Sequence, residues 1–179
     1  MRYHSERPFH LTNNQRIGGE ELTELQYIDA VRRNSQRLFL IALTFTRRQQ
    51  DAEDTMQTVF LKLWQHRGVF TDEAHMDRWL TRVCINESRS LLRRSWRKHV
   101  GLDEIAELTA AAPSEQDRTL LNAVLRLPTI YRTVIHLYYY EELSVKEIAS
   151  LLHLSESAVK QRLSRGRKEL RQTLEDENE

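Results

Sequence analysis

Residues 144–171, with the sequence SVKEIASLLHLSESAVKQRLSRGRKELR, predict two short helices joined by a tight turn. Ser144 and Glu147 have the spacing of an N-cap and N3 pair, in which each side chain satisfies a backbone N–H group of the first turn. A His-Leu-Ser turn follows, and Ser155 is placed to cap the second helix. The stretch is a candidate helix-turn-helix, and it decides the fold of the second half of the chain.

The second of these helices has one apolar side and one strongly basic side. At about 100° per residue, Val159 and Leu163 fall on the apolar side, which we expect to be buried. The opposite side offers hydroxyl, amide and cationic groups, which suit the base edges and phosphates of a DNA major groove. Its candidate DNA-binding residues are Lys160, Gln161, Ser164, Arg165 and Lys168. An ordinary solvated helix is the alternative, because basic faces are common.

The composition favours an all-α protein. Glycine (5) and proline (3) are scarce in 179 residues, and no alternating β-branched runs appear. The net charge is only +1, yet residues 88–99 carry five bases and no acid, while residues 100–117 carry five acids and no base. The near-neutral total therefore conceals separate basic surfaces.

Several classes of protein are not favoured by the sequence. No apolar run approaches the roughly 18 residues of a membrane span, and the N-terminal residues lack the apolar core of a signal peptide. A lone cysteine, Cys84, excludes an internal disulfide and fits a reducing cytoplasm. No glycine-rich phosphate loop, catalytic triad or metal-ligand spacing is found. We therefore expect a cytoplasmic protein without membrane insertion, enzymatic activity, cofactor or bound metal.

The order of the segments predicts two small helical bundles joined by a flexible linker. The acidic, alanine-rich stretch that contains Pro113 is the candidate linker. The predicted segments are a disordered N-terminal extension (1–19), a first bundle (20–99), an acidic linker (100–117), a second bundle with the helix-turn-helix (118–173) and an acidic tail (174–179).

The first bundle contains two informative helices. Residues 51–64, DAEDTMQTVFLKLW, predict an amphipathic helix with Asp51 as its N-cap. Four of its side chains lie away from the apolar stripe and are available to a partner, although a well-capped helix needs none: Asp54, Gln57, Thr58 and Leu61.

The other informative helix is predicted from about residue 75 to 99, after a loop in which Phe70 looks exposed. Four polar residues at spacings of four, three and four share one face: Arg82, Asn86, Arg89 and Arg93. A row of guanidinium groups with one amide suits a nucleic-acid backbone with one base-reading position. A solvated arginine-rich face is an equally good interpretation.

Taken together, these stretches resemble a bacterial RNA polymerase sigma factor of the small extracytoplasmic-function group. The resemblance is carried by DAEDTMQTVFLKLW, WLTRVCINESRSLLRR and LPTIYRTVIHLYYYEELSVKEIASLLHLSESAVKQRLSRGRKEL, in this order, over about residues 25–173. The helix-turn-helix alone is shared by many regulators. The resemblance is specific because all three stretches occur together and in this order. It implies a sigma region 2 domain over 20–99 and a sigma region 4 domain over 118–173.

The resemblance also implies a role for each candidate site. The residues that would hold the β′ clamp helices of the RNA polymerase core are Asp54, Gln57, Leu61 and Trp64. The residues that would face the promoter −10 element are Arg82, Asn86, Arg89 and Arg93. Phe70 is also assigned to this element, because it lies in the loop 67–74, which would capture a flipped base. The residues that would read the −35 element are Lys160, Gln161, Ser164, Arg165 and Lys168. The implied partners are the polymerase core, including its β subunit, promoter DNA and an anti-sigma factor.

Three residues depart from the pattern of this group. Thr58 stands where an acid is frequent, and His153 holds a turn position where many helix-turn-helix proteins have glycine. Gly166 replaces a usual alanine, a change that costs about 1 kcal/mol of helix stability.

Two other functions stay open at this stage. A stand-alone helix-turn-helix regulator would bind a two-fold symmetric operator directly, with its N-terminal bundle acting in dimerisation. A helical interaction protein or an enzyme is the third interpretation, and no motif supports it.

Overall fold

The computed structural model describes residues 16–17, 22–66, 69–97 and 115–176. Its elements in chain order are β1 (Arg16–Ile17), α1 (Glu24–Thr46), α2 (Gln49–Gln65), β2 (Val69–Phe70), α3 (Glu73–Arg97), α4 (Glu115–Arg126), α5 (Thr129–Tyr139), α6 (Val145–Leu152) and α7 (Glu156–Asp176). The all-α prediction is confirmed, with one small addition: β1 and β2 pair in parallel, Arg16 with Val69 and Ile17 with Phe70. None of the described helices has the length and apolarity needed to cross a membrane.

The predicted extension and linker fall mostly outside the described residues. Residues 1–15, 18–21, 67–68, 98–114 and 177–179 are not described. The described pair Arg16–Ile17 forms strand β1, although it lies within the segment predicted to be disordered. The boundaries of the predicted segments therefore remain predictions.

The first bundle consists of α1, α2 and α3 around an apolar core. Thr23 caps α1 by accepting a hydrogen bond from the backbone N–H of Gln26 at 3.2 Å. The chain leaves α1 through Arg47, whose φ of 61° is left-handed, and α2 begins two residues later at Gln49. Asp51 therefore lies in the first turn of α2. The prediction that Asp51 is the N-cap of this helix is wrong. The reason is the tight α1–α2 turn, which leaves only Arg48 for the N-cap position, without a side-chain cap.

The second bundle consists of α4 to α7, and the helix-turn-helix within it is confirmed. Ser144 and Glu147 form a reciprocal capping box at the start of α6. That helix ends at His153, whose φ of 55° is left-handed. The hydroxyl of Ser155 then accepts a hydrogen bond from the backbone N–H of Ala158 at 3.2 Å, so it caps α7 as predicted.

The two bundles pack against each other through α1 and α5. Arg132 on α5 is only 1% exposed, and it donates to the backbone carbonyls of Thr44 and Phe45, the second at 3.0 Å. These carbonyls belong to the last turn of α1, where intrahelical partners are missing and the helix dipole is negative. Arg132 also donates to Leu127 of its own bundle at 3.1 Å. One buried cation thus caps a helix of the other bundle.

An ion pair forms a second bridge between the bundles. Nη1 of Arg37 on α1 lies 3.0 Å from a carboxylate oxygen of Glu141, which follows α5. The Glu141 side chain is 3% exposed, and its burial raises the pKa of the carboxyl group, while the facing Arg37 opposes this shift. The guanidinium is held in place by further bonds to Asn34 Oδ1 (2.9 Å) and to the backbone oxygen of Asp77 (3.2 Å).

Candidate promoter and polymerase interfaces

The polar side of α7 is presented to solvent as the helical pattern predicted. All five of its candidate −35 residues are exposed: Lys160, Gln161, Ser164, Arg165 and Lys168. On the other side of the same helix, Val159 and Leu163 are buried against the second bundle. The helix can therefore present donors, acceptors and positive charge to a groove while its apolar side holds it on the domain.

The arginine face of α3 is exposed in part. Arg82, Asn86 and Arg93 are exposed, whereas Arg89 is partly buried. Nη1 of Arg89 donates to the backbone oxygen of Leu151 in α6 at 3.0 Å. Burial, and then the neighbouring charge of Arg93, lower the pKa of the Arg89 guanidinium. The helical spacing placed these residues on one face, but it gave no sign that α6 would contact it.

Phe70 is buried, which corrects the expectation that it is exposed. Its exposed fraction is 1%, and its ring stacks on His66 with centroids 4.7 Å apart. Trp79 and His75 contact it edge-on at centroid distances of 5.6 Å each. Phe70 is held there because β2 fixes the backbone of the loop beside α3, which supplies His75 and Trp79. In this arrangement its ring has no free face for a flipped base.

The described part of the loop before α3 is polar and exposed. Asp72 caps α3 by accepting a hydrogen bond from the backbone N–H of His75 at 2.7 Å. That bond is the main reason why the pKa of the Asp72 carboxyl group lies below its ordinary value. Thr71 is exposed beside it, as is Ala74 in the first turn of α3. These residues, and not Phe70, form the described surface of the loop.

The candidate polymerase face of α2 lies in the open. Asp54 and Gln57 are exposed, and Leu61 is 54% exposed, which is unusual for a large apolar side chain in a packed helix. Trp64 is half-buried, and its ring makes an edge-to-face contact with Tyr27 at a centroid distance of 5.1 Å. Trp64 therefore contributes to the packing of α1 on α2 as well as to the surface.

An apolar groove on the second bundle was missed by sequence reasoning. It lies between α4, α5 and α7 and has a volume of about 680 Å³. Its lining includes Leu120, Tyr139 and Leu170, together with the cations Arg167 and Arg171. The run of three tyrosines at 138–140 was the available signal, since the second and third are 50% and 41% exposed.

Within the described ranges, no three His, Cys, Asp or Glu side chains are grouped so as to hold a metal ion. Cys84 is fully buried in the first bundle, and its Sγ lies 3.4 Å from the backbone oxygen of Leu38. Burial raises the pKa of this thiol to about 12.

Each of the two bundles matches a known protein family model. Residues 30–98 match the model of sigma-70 region 2, and residues 117–170 match that of sigma-70 region 4. RNA polymerase sigma factor SigZ of Bacillus subtilis is 30% identical over 71% of this chain and 74% of its own length. The ECF RNA polymerase sigma factor SigW of the same organism is 29% identical over 70% of this chain and 76% of its own.

Two further similarities carry less weight. The probable RNA polymerase sigma factor RfaY of Xanthomonas campestris is 36% identical over 75% of this chain, but the match spans only 36% of its own length. Among solved structures, the sigma factor RpoE of Bartonella quintana, in complex with the anti-sigma factor NepR, matches with a TM-score of 0.66. It is 21% identical and covers 83% of this chain and 96% of its own, so it supports the fold alone.

The exposed basic face of α7, the arginine face of α3 and the two matched regions all lead to one assignment. The chain belongs to the sigma-70 family of RNA polymerase sigma factors, in its extracytoplasmic-function group, whose members direct the polymerase to promoters.

Proposed function

We propose that α7 reads the promoter −35 element and that α3 binds the −10 element. The observation that carries this proposal is the two-sided character of α7, with every candidate −35 side chain exposed and Val159 and Leu163 buried behind them. Gln161 and Ser164 are suited to base edges, whereas the lysines and arginines of the same face are suited to phosphates.

The −10 contact is assigned to Arg82, Asn86, Arg89 and Arg93, as a basic surface that follows the DNA backbone. Because Phe70 is buried, we assign the capture of a flipped base to the exposed residues of the loop that precedes α3 and not to Phe70. No bond is made or broken by the protein in this role, which it performs in the cytoplasm as a subunit of the polymerase.

The exposed face of α2 is the proposed contact with the β′ clamp helices of the polymerase core. Leu61 offers an apolar anchor, Gln57 offers an amide one turn earlier on the same helix, and Asp54 offers an acceptor two turns earlier. The apolar groove between α4, α5 and α7 is proposed to contact the β subunit. Its charged lining residues are Arg167, Arg171 and Glu175, and this excess of positive charge favours an amphipathic helix with acidic residues.

An anti-sigma factor is the remaining proposed partner. The Bartonella quintana relative was solved in complex with the anti-sigma factor NepR, and this chain shares its fold. We expect such a partner to compete with the polymerase core for the exposed face of α2.

The test is co-elution with RNA polymerase core from the host organism on size exclusion. The wild-type chain should co-elute, and an Asp54→Ala/Gln57→Ala double variant should co-elute weakly or not at all. The matched control is Asp29→Ala/Gln50→Ala, which removes the same two side-chain types from exposed positions of α1 and α2 and should behave as wild type. If the folded wild-type chain fails to co-elute, the polymerase role is wrong, and tight binding to a two-fold symmetric DNA site would favour a stand-alone regulator.

A further inference from the structure

The short strand β1 joins the N-terminal part of the chain to the loop that precedes α3 (residues 67–74), which we call the base-capture loop. β1 and β2 pair in parallel, with Arg16 opposite Val69, and β2 belongs to this loop. The match to sigma-70 region 2 begins only at residue 30, so β1 is an addition to the matched domain. The family match therefore does not explain why a second segment of the chain lies at this loop.

The direction of the pair determines how the N-terminal part of the chain reaches the loop. In a parallel pair both strands run the same way, about 4.8 Å apart. The chain therefore enters β1 at the end of the pair where α2 leads into β2. Thr71 and Asp72 follow β2 at the other end of the pair, and both are exposed. The pairing thus leaves the exposed residues of the base-capture loop open to DNA.

β2 is a fixed edge to which an extended segment can add. Phe70 is 1% exposed and is held between His66, His75 and Trp79, so the backbone of β2 is anchored to the first bundle. A pair of two residues is nevertheless short. Even a two-stranded hairpin is marginally stable in water, because few contacts offset the entropy lost on ordering the backbone. The pair sets the position of the N-terminal segment, and a further partner is needed to order the rest of it.

The amino-acid composition of the segment fits single-stranded nucleic acid as that partner. Residues 1–17, MRYHSERPFHLTNNQRI, contain three arginines and one acid, Glu6. Tyr3 and Phe9 stand among these cations, and residues 13–15 (NNQ) place three amide side chains just before β1. Arginines neutralise phosphates, aromatic rings stack on bases, and amides bond to base edges. A segment with this composition gains little from an apolar protein groove and much from unpaired DNA.

Unpaired DNA is expected at the place where β1 lies. In the proposed function the base-capture loop takes one base out of the −10 element, so the strand on either side of that base is single-stranded there. The 15 residues that precede β1 reach about 50 Å when extended, which is enough to follow this strand beyond the loop.

We propose that residues 1–17 form an N-terminal arm, which β1 fixes to the base-capture loop and which binds the single-stranded promoter DNA beside the flipped base. This inference rests on the proposed −10 role of the loop and of α3. The arm becomes ordered as it binds, because β1 supplies its position and the DNA supplies its contacts. It adds affinity for opened DNA and takes no part in the reading of the −35 element by α7.

The test measures how holoenzyme, reconstituted from the full chain and host polymerase core, binds opened promoter DNA. The probe is a promoter that the wild-type holoenzyme selects from a random library. It is prepared as a fluorescein-labelled fork, with a duplex −35 element and a single-stranded non-template strand from the −10 element onward. Arg2→Gln/Arg7→Gln removes two cations from the arm. Arg32→Gln/Arg126→Gln removes two exposed arginines from α1 and α4 and is the matched control.

We expect the arm variant to bind the fork about tenfold more weakly in 0.1 M salt, with the salt slope reduced by about 0.7 for each lost phosphate contact. The control variant should bind as the wild type does, and all variants should co-elute with the polymerase core. Ile17→Pro should weaken fork binding similarly, because proline fixes φ near −65°, away from the φ of about −120° in a parallel strand. Thr12→Pro, which lies outside β1, should have little effect.

The partner of the arm is identified by photo-crosslinking. Phe9→benzoylphenylalanine places a photo-reactive group in the arm, and the holoenzyme is irradiated on the labelled fork. We expect a crosslink to the single-stranded part of the non-template strand. A crosslink to a polymerase subunit in place of DNA would overturn the proposal and give the arm a protein partner.

The failure of the arm can be distinguished from the failure of the −10 role. If Arg2→Gln/Arg7→Gln binds the fork as the wild type does while Arg93→Ala binds it more weakly, the arm is overturned and the role of α3 stands. If neither variant loses affinity, the −10 role of α3 is wrong, and the arm falls with it.

Discussion

Gly166 on α7 lies directly against Ile135 on α5. A Cβ atom built on this glycine would stand 3.0 Å from Cγ1 of Ile135 and 3.2 Å from Cβ of Tyr131. Both distances are shorter than ordinary van der Waals contacts between carbon atoms. The glycine that departs from the family pattern therefore permits a close approach of two helices, and it is not simply a weak point of α7.

Replacing this glycine should lower stability. In Gly166→Ala, alanine gains about 1 kcal/mol from helix propensity, but overpacking in a filled core costs about 1–3 kcal/mol. We expect a net loss of about 1 kcal/mol in the free energy of unfolding, measured with urea. Gln172→Ala, at an exposed position of the same helix, is the control and should change little. A more stable Gly166→Ala variant would show that Ile135 moves aside at no cost.

Stability should also fall between pH 6.5 and pH 4 because of His136. This residue is 1% exposed, neither ring nitrogen has a hydrogen-bond partner among the described residues, and burial lowers its pKa from 6.5 to about 4. In that window the unfolded chain binds more protons than the folded one, so the free energy of unfolding decreases as pH falls. At about 1.4 kcal/mol per pH unit, the full loss is on the order of 3 kcal/mol.

The groups that face His136 define the control for this prediction. Tyr140 stacks on its ring, and a carboxylate oxygen of Glu141 lies 3.9 Å from Nε2. The raised pKa of Glu141 acts in the opposite sense, because the folded state then binds the extra proton. The comparison is therefore between urea unfolding of the wild type and of His136→Gln at pH 7, 6 and 5. Equal pH slopes in the two proteins would contradict the assignment to His136.

The thiol of Cys84 should be inert in the folded protein. Since burial raises its pKa to about 12, a negligible fraction is thiolate at neutral pH, and thiolate is the reactive form. We expect no reaction with a disulfide reagent such as DTNB over an hour in native buffer, and one reactive thiol per chain in denaturant. Rapid labelling of the native protein would reveal local opening of the first bundle.

Two single substitutions should separate phosphate binding from base reading in the promoter complex with polymerase. Arg93→Ala should weaken binding to all promoters alike and reduce the salt slope by about 0.9 for each lost phosphate contact. Gln161→Ala should instead change the ranking of −35 sequences, at about 1–3 kcal/mol for the contacted base pair. Filter binding across a salt series and a −35 library distinguishes the two. A Gln161→Ala variant with unaltered ranking would remove this residue from the reading set.

The helix-turn-helix could be predicted because its signals are local. The box of Ser144 with Glu147 and the cap of Ser155 each act within one turn of a helix, so sequence spacing determines them. The exposed face of α7 follows from helical periodicity in the same way. Asp51 shows the limit of such local rules. It is a good N-cap residue, but the tight α1–α2 turn makes α2 begin at Gln49, so that Arg48 occupies the N-cap position.

Features that depend on distant parts of the chain could not be predicted. Phe70 is buried by His66, His75 and Trp79, which meet only after α2 and α3 have packed. Arg132 looked like any arginine of an amphipathic helix, yet its partners are carbonyl groups 87 and 88 residues earlier. Nothing in residues 129–139 indicates that another domain will offer those carbonyls.

The same separation in sequence has a consequence during synthesis on the ribosome. The carbonyl of Thr44 is made 88 residues before Arg132, which at about 5–20 residues per second is an interval of about 4–18 s. Throughout that interval the end of α1 lacks the Arg132 guanidinium, and α3, which is completed at Arg97, has no α6 to contact because Val145–Leu152 is made later still. Each newly made chain thus begins its life with the whole arginine face uncovered, and loses that state only when translation supplies the second bundle.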